Sequence, residues 1–193
     1  MRILAIIQFS FMVVATLVFA SAVILLSLLG LRRAAYVPVR AWAWSLLTTT
    51  GVRYRAHCVE NVPRSGSYVV ISNHCSHLDG PTFALALPHP VYFVIKKELA
   101  RIPLWGLAAR TVGFIAVDRS NSAQARAEMA RAVEAVRDGR RVLVFAEGTR
   151  SPDGHLQPFK KGGFHLAIDA QVPILPVTVN GSHALFPKAG AAV

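Results

Sequence analysis

The stretch YVVISNHCSHLD, residues 68–79, decides the fold. Its first half is a short apolar run of β-forming residues that begins soon after Gly66, and such a run is typical of a buried strand. A polar loop follows, and Asp79-Gly80-Pro81 then has the composition of a helix start. A strand, a loop and a helix in this order indicate an α/β protein, a class that places functional residues in the loops at strand ends.

Four further β-rich runs follow along the chain. They are residues 91–95, 113–117, 142–145 and 174–179. Pro176 weakens the last run, because proline cannot donate to a strand ladder and is confined to sheet edges. Between the third and fourth runs, residues 120–139 carry apolar side chains at helical spacing and end in glycine, which favours a helix. The alternation predicts an α/β fold with a mixed sheet flanked by helices.

The first 34 residues predict a membrane anchor helix. Residues 3–31 contain no charged side chain, and residues 11–31 are almost wholly apolar, which is enough to cross the roughly 30 Å hydrocarbon core. Arg32 and Arg33 follow at once, so we expect the body of the protein at the cytoplasmic face of the cell (inner) membrane. A cleaved signal peptide ending near residues 20–22 is the alternative, but the apolar run continues well beyond that point. A full span and a monotopic anchor both remain open.

Residues 35–51 predict a second helix. Trp42 and Trp44 lie close to Arg40, and this combination favours the headgroup region of a bilayer. We therefore interpret the segment as an interfacial helix, with an ordinary amphipathic core helix as the alternative. Residues 52–193 then form the globular domain.

The composition is both apolar and basic. Lys and Arg number 21 against 10 Asp and Glu, so the net charge is +11, although only 16% of the residues are charged. This combination favours an anionic membrane surface and phosphorylated substrates as partners. Nucleic acid is disfavoured, because the basic residues are spread out and no nucleic-acid module is recognisable. The two cysteines, Cys58 and Cys75, are too few for a disulfide framework.

His74 and Asp79 are the strongest candidates for chemistry. A carboxylate five residues after a histidine can fold back onto one ring nitrogen and leave the other as a base. Such a pair needs no serine nucleophile if the substrate brings its own hydroxyl. The alternative is a structural histidine that lies in the core or caps a helix. A metal site that includes His57 or His77 is disfavoured, because the chain lacks the Cys-x2-Cys and His-Glu-x2-His spacings.

Basic residues follow three other runs. In FAEGTRS, residues 145–151, Gly148 permits an unusual backbone, Arg150 offers a forked donor for phosphate, and Glu147 could hold Arg150 or a substrate hydroxyl. Arg119 follows the third run and Lys96 follows the second. Solvated surface side chains are the alternative for each of these.

Four blocks in order resemble the motifs of the glycerolipid acyltransferase family. They are NHCSHLD at 73–79, GFIAVDR at 113–119, FAEGTRS at 145–151 and VPILPV at 172–177. The pattern is most similar to the 1-acyl-sn-glycerol-3-phosphate (lysophosphatidate) acyltransferase branch. The resemblance implies transfer of a fatty acyl group from acyl-CoA or acyl-ACP to the free sn-2 hydroxyl of lysophosphatidate, giving phosphatidate. Another lysolipid or glycerol 3-phosphate as acceptor, or a thioesterase-like hydrolase, are the alternatives.

The resemblance also implies roles for individual residues. His74 would be the general base and Asp79 its orienting partner. Binding of the acceptor would fall to Lys96, Arg119, Glu147, Gly148, Thr149 and Arg150. Residues 172–176 would line the acyl or acceptor cavity. No metal and no cofactor are expected beyond the acyl-CoA or acyl-ACP co-substrate.

Two departures from the family pattern stand out. Ala146 replaces the usual proline of the third block, and this should loosen the turn without removing Glu147 or Arg150. The chain also ends at Val193, where members of the family usually continue with further strands. We therefore expect the acyltransferase domain to be short at its C-terminal end.

Overall fold

The computed structural model describes residues 2–118 and 122–188. The helices are α1 (Arg2–Leu28), α2 (Tyr36–Thr49), α3 (Asp79–Ala86), α4 (Trp105–Val112), α5 (Ser122–Arg137), α6 (Gly162–Ala170) and α7 (Ser182–Leu185). The strands are β1 (Val69–Ser72), β2 (Tyr92–Lys96), β3 (Ile115–Val117), β4 (Val142–Phe145) and β5 (Ile174–Val177). Short 3₁₀ turns occupy Val59–Asn61 and Leu99–Arg101.

The strands form one sheet in the order β3-β2-β4-β1-β5. Every described pairing is parallel, so the α/β class is confirmed but the expectation of a mixed sheet is wrong. The reason is connectivity. A helix follows each of the first four strands and brings the chain back to the end of the sheet where that strand began, so the next strand runs in the same direction. Pro176 lies on β5, an edge strand of the described sheet, as its missing N–H predicts.

Both faces of the sheet are covered by helices. Side chains that alternate along β1 point to opposite faces, so Val70 packs with α3 and α4, whereas Val69 and Ile71 pack with α5 and α6. All four residues of β1 are buried, as expected for a central parallel strand. This burial fixes the position of the loop that leaves β1.

Helices α1 and α2 pack together and against α3 and α4. Tyr36 of α2 is 2% exposed and sits in a cluster with Val23 of α1 and Val112 of α4. The Arg40 guanidinium, which the sequence suggested would favour lipid headgroups, donates instead to the carbonyls of Ala84, Leu85 and Leu87 at the end of α3. Arg40 therefore caps a helix whose last carbonyls would otherwise lack partners.

Among the described residues, one helix is long and apolar enough to cross a membrane. It is the Ile6–Leu28 part of α1, with a mean hydropathy of 2.6 and only 17% of its residues buried. Trp42 of α2 donates to the Thr16 hydroxyl of α1 at 3.0 Å, while Trp44 remains 62% exposed. The two helices thus form a hairpin with an apolar outer surface.

Candidate active site

The predicted site residues meet at one edge of the sheet. The loop that leaves β1 carries His74, and the loop that leaves β4 carries residues 146–151. These strands are parallel neighbours, and Ser72 lies opposite Phe145 in the register. Since parallel strands end at the same edge, two blocks separated by about seventy residues in sequence become adjacent.

His74 and Asp79 form a hydrogen-bonded pair. His74 Nδ1 lies 2.8 Å from Asp79 Oδ2. The same carboxylate oxygen accepts the backbone N–H groups of Cys75 at 2.8 Å and Ser76 at 2.9 Å. Asp79 is fully buried and is the first residue of α3, where the helix dipole favours negative charge. The loop therefore folds back as the five-residue spacing predicts.

The Asp79 carboxyl group is ionised at neutral pH. Burial raises its pKa, but hydrogen bonds from the His74 ring and two backbone N–H groups, together with the nearby Ser182 hydroxyl, outweigh that effect, so the pKa lies below its ordinary value of 3.8. A charged carboxylate against Nδ1 keeps the proton on that nitrogen. It also stabilises an imidazolium when the ring takes up a second proton.

The rest of the His74 ring is held by stacking. It lies on Phe145 with ring centroids 3.8 Å apart and planes 9° from parallel. The side chain is 19% exposed, and within residues 2–118 and 122–188 no hydrogen bond reaches its second nitrogen, Nε2. This nitrogen is the atom that can accept a proton from a bound molecule.

Glu147 has a different position from the one that its sequence suggested. It is 2% exposed, and its two oxygens accept the backbone N–H groups of His74 at 2.8 Å and Gln157 at 3.1 Å. No ion pair joins Glu147 to Arg150 in the described part of the chain. Glu147 therefore holds the backbone beneath His74, and of the two alternatives that the sequence left open, the pairing with Arg150 is wrong.

Arg150 brings an incompletely paired positive charge to the site. Its Nη1 is buried, and among the described residues it has no hydrogen-bond partner. Burial lowers the Arg150 pKa, while the Asp79 carboxylate opposes this shift, which places the guanidinium within electrostatic reach of the dyad. Buried donors are rarely left unpaired, so an anionic group bound here would complete the arrangement.

The residues beside Arg150 shape the same loop. Gly148 has φ +69°, and a Cβ there would lie 2.9 Å from Cδ of Lys160. The Thr149 hydroxyl lies 3.4 Å from Nζ of Lys188. The backbone conformation therefore favours glycine at 148, whereas the close contact is with the flexible end of a lysine side chain, which can move aside.

The other predicted phosphate ligands are farther from the dyad or outside the described residues. Lys96 ends β2, the strand next to β4, and its exposed Nζ lies 3.5 Å from Glu98. Arg119 lies outside the described residues. Residues 172–176 overlap β5, which pairs with β1, but Val172 and Ile174 line an open surface groove beside α6. Because Ile174 starts β5, it lies toward the opposite edge of the sheet from His74.

A segment that sequence reasoning overlooked closes one side of the loop. The Asn73 amide donates to the Val179 carbonyl at 2.9 Å and accepts the Val179 N–H at 2.8 Å. The Ser76 hydroxyl donates to the Phe186 carbonyl at 2.8 Å. Only the position of Asn73, directly before His74, could have signalled this contact.

Comparisons with known proteins converge on one family. Residues 53–180 match the family model described as Acyltransferase. The chain is 36% identical to mouse 1-acyl-sn-glycerol-3-phosphate acyltransferase alpha over 139 residues, which are 72% of this chain and 49% of the relative. It is 36% identical to the 1-acyl-sn-glycerol-3-phosphate acyltransferase of Pseudomonas aeruginosa over 149 residues, 76% of this chain and 56% of the relative.

The fold is also similar to a solved structure. The crystal structure of the 1-acyl-sn-glycerophosphate acyltransferase from Thermotoga maritima superposes with a TM-score of 0.84 at 26% identity, covering 97% of this chain and 77% of that one. The chain spans about half the length of the curated relatives it matches.

Proposed function

Because this chain belongs to the acyltransferase family, we propose that it transfers a fatty acyl group from acyl-CoA or acyl-ACP to the free sn-2 hydroxyl of lysophosphatidate, giving phosphatidate. The observation that carries the proposal is the His74–Asp79 pair, with its Nε2 free of hydrogen bonds among the described residues, beside the unpaired Arg150 guanidinium. The names of the relatives support the choice of acceptor.

In the proposed reaction, His74 Nε2 removes the proton from the acceptor hydroxyl as its oxygen attacks the thioester carbonyl. The new carbon–oxygen bond forms a tetrahedral intermediate, and the carbon–sulfur bond then breaks. The sulfur leaves as a thiolate, and the proton held by His74 passes to it, so atoms and charges balance. Asp79 stabilises the transient imidazolium through Nδ1. The transfer needs no metal and no further cofactor.

Arg150 would hold the phosphate of the acceptor. Its guanidinium has a buried donor to spare, and a planar fork suits phosphate oxygens. Lys96 and the Thr149 hydroxyl, which follow strands that end at the same edge of the sheet, are proposed as additional ligands, and so is Arg119. Fixing the phosphate would place the neighbouring hydroxyl at the base, and such positioning can contribute several powers of ten in rate.

We further propose that α1 anchors the protein at the cytoplasmic face of the cell membrane. The apolar exterior of α1 would lie among acyl chains, with Arg32 and Arg33 at its end facing anionic headgroups. The net charge of +11 would add to the attraction of an anionic surface. The lysolipid would then reach the site without leaving the membrane.

The test is a radiolabelled acyl-transfer assay with membranes that contain this chain. Acyl-CoA and acyl-ACP are supplied in turn as donors, with lysophosphatidate or a monoacylglycerol, which lacks the phosphate, as acceptor. His74→Ala is the test variant. The exposed His165 on α6 provides the matched control, His165→Ala.

We expect acylation of lysophosphatidate by the wild type and by the control, and none by His74→Ala. Equal use of monoacylglycerol would refute the role of Arg150 in phosphate binding. Thioester cleavage that proceeds without any acceptor would identify a hydrolase instead. Transfer that survives in His74→Ala would refute the dyad mechanism.

A further inference from the structure

Two buried oxygen atoms beside the dyad lack hydrogen bonds. Asp79 Oδ2 accepts three donors, but the other carboxylate oxygen, Oδ1, is buried without a partner among the described residues. The hydroxyl of Ser182, in a residue only 8% exposed, is likewise buried and unpaired there. A buried acceptor and a buried donor that are both unsatisfied each carry a cost in free energy.

Ser182 is held against the dyad loop from both sides. It begins α7, directly after Gly181, whose φ of +80° turns the chain. On one side of it, Val179 exchanges two hydrogen bonds with the Asn73 amide. On the other side, the Phe186 carbonyl accepts the Ser76 hydroxyl. These contacts tie the segment that carries Ser182 to the loop of His74.

We propose that the Ser182 hydroxyl donates a hydrogen bond to Asp79 Oδ1 in the working protein and is a positioning residue for the His74–Asp79 pair. The role rests on the proposed acyl transfer. With donors on both oxygens, the carboxylate cannot rotate about its Cβ–Cγ bond, so the direction of the His74 ring is set. Ser182 lies outside the residues matched by the family model, which end at 180.

The electrostatic surroundings agree with this contact. The Ser182 hydroxyl lies close enough to Asp79 to help the His74 ring lower the pKa of that carboxyl against the effect of burial. The other titratable groups around the pair are Cys75 and His77 on the same loop and Glu147 and Arg150 after β4. The hydroxyl of Ser182 is uncharged, so its removal leaves these charges unchanged.

The experiment compares Ser182→Ala and Ser182→Thr with Ser65→Ala, a serine exposed far from the site in the loop before β1. Acyl transfer gives kcat and KM for lysophosphatidate. Proton NMR in detergent micelles gives the resonance of the His74 Nδ1–H proton, which is assigned from its loss in His74→Ala. The melting temperature of each variant reports folding.

We expect Ser182→Ala to lower kcat about tenfold with KM unchanged, since one buried hydrogen bond to a charged group is lost. The Nδ1–H proton signal of His74 should shift, because the carboxylate that accepts this proton has lost a donor on its other oxygen. Ser182→Thr, which keeps the hydroxyl, should recover most of the lost kcat, and Ser65→Ala should match the wild type.

An Nδ1–H signal of His74 that is unchanged in Ser182→Ala overturns the proposal, whatever happens to kcat, because the carboxylate would then have lost no donor. A shifted signal with unchanged kcat overturns the positioning role. If the wild type transfers no acyl group, the proposed function fails, while the Nδ1–H signal still tests the contact between Ser182 and Asp79.

Discussion

Replacing Tyr36 by phenylalanine should loosen the α1–α2 hairpin from the sheet. The Tyr36 hydroxyl donates to the Val91 carbonyl at 3.2 Å and accepts the Val91 N–H at 3.1 Å. Tyr36 is 2% exposed and Val91 is fully buried, so water cannot replace either bond. The substitution removes one oxygen atom and leaves the apolar packing of the ring in place.

The expected cost follows from the two backbone groups left behind. An unpaired buried polar group costs about 1–3 kcal/mol, so the N–H and the carbonyl of Val91 together should cost about 2–6 kcal/mol. At roughly 2–4 °C per kcal/mol for a domain of this size, the melting temperature should fall by about 4–24 °C. Tyr54→Phe is the matched control, because Tyr54 is 40% exposed and should change little.

The assay is thermal unfolding in detergent, followed by tryptophan fluorescence at neutral pH and again near pH 11. Burial raises the Tyr36 pKa from 10.0 to about 12, so the unfolded chain ionises first as the pH rises. The free energy of unfolding of the wild type should therefore fall as the pH rises from 10 to about 12. The loss should be about 1.4 kcal/mol at pH 11 and about 2.7 kcal/mol above pH 12, whereas Tyr36→Phe lacks it. The difference in melting temperature between the wild type and Tyr36→Phe should therefore be smaller near pH 11 than at neutral pH. Equal melting of Tyr36→Phe and Tyr54→Phe at neutral pH would refute the reasoning.

Two further predictions concern the dyad. Glu147→Gln should lower kcat about 10- to 100-fold, because an amide nitrogen would then face one of the N–H groups of His74 or Gln157. Steady-state kinetics with lysophosphatidate measures this loss, and a kcat equal to that of the wild type would contradict the role of Glu147. Above pH 5, Asp79→Asn should have a lower melting temperature than the wild type. This difference in melting temperature should shrink as the pH falls below 3.8, because a lowered carboxyl pKa contributes stability that is lost when the folded state takes up the proton. Melting curves from pH 3 to 7 test this, and a gap that does not change with pH would contradict it.

The sequence predicted the elements of the fold well. Each of the five β-rich runs overlaps a strand of the sheet, and residues 120–139 contain α5. Short apolar runs and helical spacing are local signals, so they can be recognised without knowing the tertiary contacts. Strand direction is not local, which is why a mixed sheet was expected where a parallel one is found.

The candidate site was predicted only in part, because some of its contacts are local in sequence and others are not. The approach of Asp79 to His74 lies within one short loop, and the spacing alone indicates it. The position of Glu147 beneath the His74 backbone depends on β1 and β4 being neighbours, which no spacing in the sequence reveals. Arg40 was associated with lipid headgroups for a similar reason, since the end of α3 that it caps is distant in sequence.

The sequence by itself therefore determined the strand and helix pattern, the long apolar N-terminal segment, the His74–Asp79 pairing and the basic character of the site. Each of these depends on composition or on residues a few positions apart. Only the tertiary structure decided that the strands are parallel, that Glu147 supports His74, and that Ser182 lies beside Asp79. These contacts arise because packing the sheet between its helices brings distant loops to one edge, where burial leaves each polar group few partners to choose from.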